Sequence, residues 1–344
     1  MKIIVDAMGG DNAPLAPVQG AIQAAKEYGV EIVLVGRQEE IEKTLKEHSL
    51  TLPEGVTIRH ASEVIEMCDD PAKAWRQKKD SSMTVGLTMV KEGEGDAFVC
   101  AGSTGALLSG ATLLTKRIKG IRRAAFAPVV PTGNGGSILV DCGANAECPP
   151  EYLLQFAYMG SYYAEKALGR ANPKVGLLNI GVEPSKGTAL QITVYPMLQE
   201  ACEAGRINFV GNIEAREAVE GAVDVIVCDG YSGNIMLKTM EGTAKVMSAE
   251  LKKIFKKNPL TMLAAAIVSG GIKEMKKMMS SDEVGGTALL GIAKPVIKAH
   301  GSSNAYAFKN AIRQARDFAD SGIIESITEN VEVMKLKQSA AAED

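Results

Sequence analysis

The chain has 344 residues, 46% hydrophobic and 23% charged, with a formal net charge of −3. That is an ordinary globular composition with a large core to bury, and it argues against a bulk electrostatic grip on nucleic acid; an acidic partner has to meet a local basic patch. Six cysteines, Cys68, Cys100, Cys142, Cys148, Cys202 and Cys228, form no C-x-x-C pair, which fits reduced thiols in a cytoplasmic setting.

From the N-terminus, a strand is expected over 3–5, directly after Met1, so no signal peptide is expected. A glycine-containing turn over 6–14 and a helix over about 17–28 follow. The next expected elements are a strand over 31–35, a charged helix over 38–48, a weaker strand over 56–60 and a polar stretch over 63–80 that holds the lone tryptophan, Trp75. A helix over 81–91 precedes a buried strand over 96–100, the turn Ala101-Gly-Ser-Thr-Gly-Ala106 and a helix to about 114. Beyond the basic run Lys116, Arg117, Lys119, Arg122 and Arg123, the pattern predicts strands over 137–140, 175–178, 208–210 and 224–228. Helices are expected over 152–168 and 188–204, and one starts at Ile235 and runs to about Phe255. A strand over 294–298, a helix over 305–321 and a helix over 328–335 complete the series, with a disordered tail over 336–344. Apolar strands without polar alternation, each followed by a helix, predict an α/β fold. The expectation is a doubly wound, largely parallel sheet with helices on both faces, as one unit over 1–335 or as two lobes with the cleft between them.

The stretch 224–238, DVIVCDGYSGNIMLK, is read as a buried strand, the polar turn Asp229-Gly-Tyr-Ser-Gly-Asn234, and a helix. Open α/β sheets bind ligands at such strand ends, and free N–H groups at a helix N-terminus attract anions. Gly102-Ser-Thr-Gly105 and His300-Gly-Ser-Ser-Asn304 have the same form, although Ser, Thr and Asn are also ordinary helix caps. Gly181-Val-Glu-Pro-Ser-Lys-Gly-Thr188 reverses the Gly-Lys order of a nucleotide P-loop, and no G-x-G-x-x-G follows the first strand. No cofactor and no metal are expected, since no His/Cys cluster has zinc spacing. Lys186 fits either an oxyanion-stabilising cation or a solvated surface lysine. Asp6, Asp141 and Asp229 fit loop-bracing carboxylates better than metal ligands, and Cys100 and Cys228 fit inert core. Lysines flank an apolar run over 260–272, which is short of the ~20 residues that span a bilayer. Leu260, Met262, Leu263, Ile267 and Val268 mark it as a protruding tip, within 252–280, for lipid, a partner groove or a dimer mate. Gly270-Gly271 is expected to break it.

These blocks carry a resemblance. Val5-Asp-Ala-Met-Gly-Gly-Asp-Asn-Ala-Pro14 resembles the opening signature of the bacterial PlsX-type phosphate acyltransferases. The likeness continues through Ala101-Gly-Ser-Thr-Gly-Ala-Leu107, Asp141-Cys-Gly-Ala-Asn145, Asn179-Ile-Gly181, Asp229-Gly-Tyr-Ser-Gly-Asn234, Gly285-Gly-Thr-Ala-Leu-Leu-Gly291 and His300-Gly-Ser-Ser-Asn304, with Thr287 where proline is expected. The resemblance implies transfer of a fatty acyl group from acyl carrier protein (ACP) to inorganic phosphate, giving acyl phosphate for phospholipid synthesis. It also implies an isocitrate/isopropylmalate dehydrogenase-like fold shared with phosphotransacetylase, and a cytoplasmic homodimer with peripheral membrane contact.

The expected catalytic residues are Lys186, for the oxyanion or phosphate charge, Asn234, for orienting the reacting groups, and His300. Expected substrate-binding residues are Asp6, Gly9, Gly10 and Asn12; Ser103, Thr104 and Gly105; Asn145; Asn179 and Ser185; Asp229, Ser232 and Gly233; and Ser302, Ser303 and Asn304. ACP is expected to dock on the basic run or on the lysines of 252–277. Competing readings are a phosphotransacetylase acting on short acyl-CoA, an NAD-dependent decarboxylating dehydrogenase of the same fold, and a membrane-recruited scaffold.

Overall fold

Strands that are apolar on both faces need cover on both faces. In the computed structural model, which describes residues 1–278 and 280–334, two helix-flanked sheets meet that need. The expected tail lies outside the described residues. The strands are β1 (Lys2–Asp6), β2 (Glu31–Gly36), β3 (Val56–His60), β4 (Ala97–Cys100), β5 (Ala125–Ala127), β6 (Val129–Val130), β7 (Ser137–Val140), β8 (Lys174–Asn179), β9 (Asn208–Glu214), β10 (Val225–Val227), β11 (Gly286–Leu290) and β12 (Val296–Ala299). One sheet has the order β3-β2-β1-β4-β12-β11-β5 and the other β6-β7-β10-β8-β9. Pairing is parallel except for β11 with β12 and β5, and β6 with β7.

The α/β class and the parallel bias are as expected, but the strands form two sheets rather than one. The division falls at Pro128, between β5 and β6. Proline has no N–H for a ladder, and its carbonyl accepts from Leu139 N at 3.0 Å. The chain therefore passes there from an edge of one sheet to an edge of the other. Other corrections have similarly local causes. The glycine-rich segment 285–291 is a strand, β11, because its apolar centre Ala288-Leu289-Leu290 is buried. The strand expected over 294–298 starts only at Val296, since Pro295 cannot donate to a ladder. At the C-terminus the helix is Ile323–Glu329, followed by a tight turn over Val331–Met334, in place of a helix over 328–335.

The joint between the sheets is a buried carboxylate. Asp141 follows β7, and its Oδ1 accepts from Phe126 N in β5 at 3.0 Å and from Ala144 N at 3.3 Å. Its Oδ2 accepts from Asn145 N at 2.6 Å and from Asn145 Nδ2 at 3.0 Å. Burial still outweighs these bonds and raises the Asp141 pKa to about 6. A second close contact joins helix Leu15–Tyr28 to helix Ala305–Asp320. A Cβ at Gly20 would lie 2.4 Å from Phe308 Cβ and 2.9 Å from Ala305 O.

Two outcomes are expected. Gly20→Ala gains up to ~1 kcal/mol of helix propensity but overpacks the helix pair by about 1–3 kcal/mol. The urea midpoint should therefore fall, and a raised midpoint would refute the close packing. For Asp141 the folded pKa stands above the unfolded value, so its protonated form favours folding and that benefit is lost as pH rises. Between about pH 4 and 6, the stability of wild type relative to Asp141→Asn should decline by about 3 kcal/mol. A flat difference across that window, measured by denaturation at each pH, would show that Asp141 titrates normally.

Candidate active site

Three turns meet at the carboxyl ends of β1, β4 and β12. Asp6 ends β1 and is buried; its Oδ1 accepts from Met8 N at 3.0 Å, and its Oδ2 accepts from the Cys100 thiol at 3.1 Å. The first turn is laced to the His300 turn. Asp11 N donates to Gly301 O at 2.7 Å, and Asn12 Nδ2 donates to Ser302 O at 3.1 Å and Ser303 O at 3.2 Å. Gly9 lets the Gly102 turn close in, since a Cβ there would sit 2.6 Å from Gly102 N. In the third turn, Ser302 N donates to His300 Nδ1 at 3.2 Å, and Ser302 Oγ lies 2.9 Å from the same nitrogen. Nδ1 thus acts as the acceptor and Nε2 carries the proton of the neutral ring. Burial, aided by the positive charge of Lys238, lowers the His300 pKa and favours that neutral form. The Ser303 hydroxyl is buried with no hydrogen-bond partner among the described residues. A buried, unpaired hydroxyl beside a helix N-terminus is a place for a polar ligand.

The second group stands at the ends of β7 and β10. Asp229 caps helix Gly230–Phe255, accepting from Ser232 N at 2.8 Å and Ser232 Oγ at 2.9 Å. The stretch 230–234, expected as a turn, is therefore already helix, because Asp229 caps the amide of Ser232 in its first turn. A Cβ at Gly233 would fall 2.1 Å from Asp141 O, so only glycine lets this helix seat on the joint. Asn145 is engaged too: its Nδ2 donates to Ala124 O at 2.9 Å and its carbonyl accepts from Gly230 N at 2.8 Å. Asn234, Lys238, Glu241 and Lys245 follow at helical spacing on one face. Lys238 pairs with Glu241 at 2.8 Å. The charges of this pair act on Cys142 at the second group and on His300 at the first, so the helix spans the two.

Several expected side chains are committed to the fold. Ser103 caps helix Thr104–Gly110 by accepting from Ala106 N, with Thr104 exposed beside it. Asn304 caps helix Ala305–Asp320 and donates to Asp282 Oδ2 at 3.0 Å. Lys186 and Ser185 are exposed in a separate loop after β8, where Asn179 Nδ2 holds Lys186 O at 3.1 Å. No bond joins Lys186 to the His300 group among the described residues. The thiols of Cys100, Cys142 and Cys228 are held protonated by burial, Cys142 with a pKa of about 12. Lys298, in β12 two residues before His300, escaped the sequence reading; a lone charge within the apolar Val296-Ile-Lys-Ala299 was the available signal. It is buried, and its Nζ donates to Ala101 O at 3.2 Å and to Ala299 O.

The tip consists of helices Pro259–Ile267 and Ser269–Met278, which follow the long helix. The break falls at Val268, and Gly270-Gly271 lie inside the next helix. Leu260 is 78% exposed and Ile267 77%, with Met262, Leu263 and Val268 also exposed. Among the described residues, no helix is long and apolar enough to cross a membrane.

The pattern of the fatty acid synthesis protein family matches residues 1–326. The phosphate acyltransferase of Thermoanaerobacterium thermosaccharolyticum is 48% identical over 99% of this chain and 100% of its own length. That of Alkaliphilus oremlandii is 49% identical over 96% of this chain and 97% of its own. Among solved structures, a phosphotransacetylase from Streptococcus pyogenes has the same fold, with a TM-score of 0.63 at 19% identity over 92% of this chain and 94% of that one. The laced turns, the unpaired serine and these likenesses agree, and the chain belongs to the fatty acid synthesis protein family of PlsX-type phosphate acyltransferases.

Proposed function

We propose that this enzyme transfers a fatty acyl group from the thioester of acyl-ACP to inorganic phosphate, directly and without an acyl-enzyme. The observation that carries the reading is the buried, unpaired Ser303 hydroxyl beside neutral His300, inside three hydrogen-bonded turns. Phosphate supplies the nucleophile, so no side chain has to. A phosphate oxygen attacks the thioester carbonyl, the carbonyl electrons pass to oxygen, and their return expels the carrier thiolate. A thiolate whose conjugate acid has a pKa near ~8.5 leaves without strong acid catalysis. The enzyme's task is to hold both reactants together and stabilise the oxyanion. Ser303 and the start of helix Ala305–Asp320 receive phosphate, and the Nε2–H of His300 donates to the developing oxyanion. Asn234 and Asn12 orient the reactants, and Lys186 enters from its own loop when acyl-ACP is bound. The acidic carrier docks against the cleft of Arg117, Arg122, Arg123 and Tyr152.

The acyl phosphate feeds phospholipid synthesis. The enzyme acts as a cytoplasmic homodimer whose lysine-flanked tip rests on an anionic membrane surface. The fold of phosphotransacetylases keeps a short acyl-CoA donor as the second reading.

With phosphate and purified enzyme, long-chain acyl-ACP should yield acyl phosphate, and acetyl-CoA should yield at least about 100-fold less product. The reverse preference would select the second reading. His300→Ala should lower kcat/KM by about 100- to 1,000-fold, the usual loss of an oxyanion donor. An unchanged value would remove His300 from the chemistry. Replacing Leu260, Leu263 and Ile267 together by Asp should abolish sedimentation with anionic vesicles and leave turnover of dissolved acyl-ACP within about threefold. Persistent vesicle binding would refute the membrane role of the tip.

A further inference from the structure

Lys298 is a charged side chain that the proposed chemistry leaves unused. Its ammonium group is buried in β12, and removing such a charge from water costs several kcal/mol unless it is well paired. Yet it makes no ion pair among the described residues. Asp6, the adjacent buried carboxylate, spends its oxygens on Met8 N and the Cys100 thiol. The charges that act on Lys298 come from Asp6 and Asp11 beside the first turn, and from Lys238 on the long helix. An ammonium has three donors, and two of them are used, on Ala101 O and Ala299 O. Those carbonyls are not arbitrary. Ala101 opens the Gly102-Ser-Thr-Gly105 turn, and Ala299 precedes the His300 turn. A methionine in the strand would fill much the same volume without the desolvation cost, so packing does not account for the charge.

We infer that Lys298 is a positioning residue for phosphate: it ties the roots of two cradle turns together and places a positive charge at the base of the His300 turn. This rests on the phosphate-transfer reading above. The free third donor and the positive charge favour an anion held by the turns, whereas the thioester is neutral and meets His300 instead. The effect of Lys298 should therefore fall on phosphate.

The test is the kinetic split. In Lys298→Met, the KM for inorganic phosphate should rise about tenfold or more, while the KM for acyl-ACP and the kcat at saturating phosphate stay within about threefold. An unshifted phosphate KM overturns the inference, and so does an equal rise in both KM values, which marks a merely structural loss. Should the variant not fold, wild-type enzyme is labelled with acetic anhydride and read by mass spectrometry. Phosphate should slow labelling of Lys298 about fivefold or more relative to exposed Lys43, and no phosphate-dependent difference overturns the assignment. Wild-type enzyme without phosphate-dependent turnover would strike the functional reading itself, whereas turnover with an unshifted phosphate KM strikes Lys298 alone.

Discussion

The site depends on one buried carboxylate. Asp141 joins an edge strand of one sheet, β5, to the end of β7 in the other, through donors from Phe126, Ala144 and Asn145. Without those bonds a buried carboxylate would be expelled, because desolvation costs several kcal/mol. With them it remains, and the loop it braces carries Asn145. The carbonyl of Asn145 accepts from Gly230 N, the first amide of the long helix. Gly233 then packs on the carbonyl of Asp141 itself. The placing of Lys238 and Glu241 where their charges act on His300 follows from that chain of contacts.

Much of the fold was legible because its signals are local. Val225–Val227, Ser137–Val140 and Ala97–Cys100 are apolar on both faces, and each ends in a polar turn that only a strand end requires. What escaped depends on contacts distant in sequence. Strands β5 and β6 have three and two residues, too few for a period, and exist only because β11 and β7 pair with them. Likewise 285–291, with three glycines, predicts no element, and it is a strand because Ala288, Leu289 and Leu290 are buried.

The candidate site shows the same division. The turns at 6–14, 102–105 and 300–304 announced themselves by residue type; hydrogen bonds hold the first of them to the third, and the close approach at Gly9 brings in the second. Residue type cannot separate a cap from a ligand contact, however. Ser103, Asp229 and Asn304 have a ligand's chemistry but spend it on helix amides, whereas the hydroxyl of Ser303, next to one of them, has no partner among the described residues. Lys298 escaped for the opposite reason: within a strand its charge looks like noise, and only burial gives it meaning.

Electrostatics then divides the labour. Thiols that burial holds protonated cannot attack a thioester, so Cys100 and Cys228 serve as donors, to Asp6 and to the carbonyl of Asp141. In the proposed reaction, His300, whose neutral form is favoured by desolvation and by Lys238, is left free to donate from Nε2. Positive charge is held instead by lysines, Lys298 within the sheet and Lys238 on the helix, the latter tempered by Glu241. That separation suits a reaction in which one substrate is an anion and the other a neutral thioester. In the proposed reaction the anion needs positive charge and the thioester a neutral hydrogen-bond donor, and one fold offers both because the joint at Asp141 brings a lysine-bearing helix to the carboxyl edge of a largely parallel sheet.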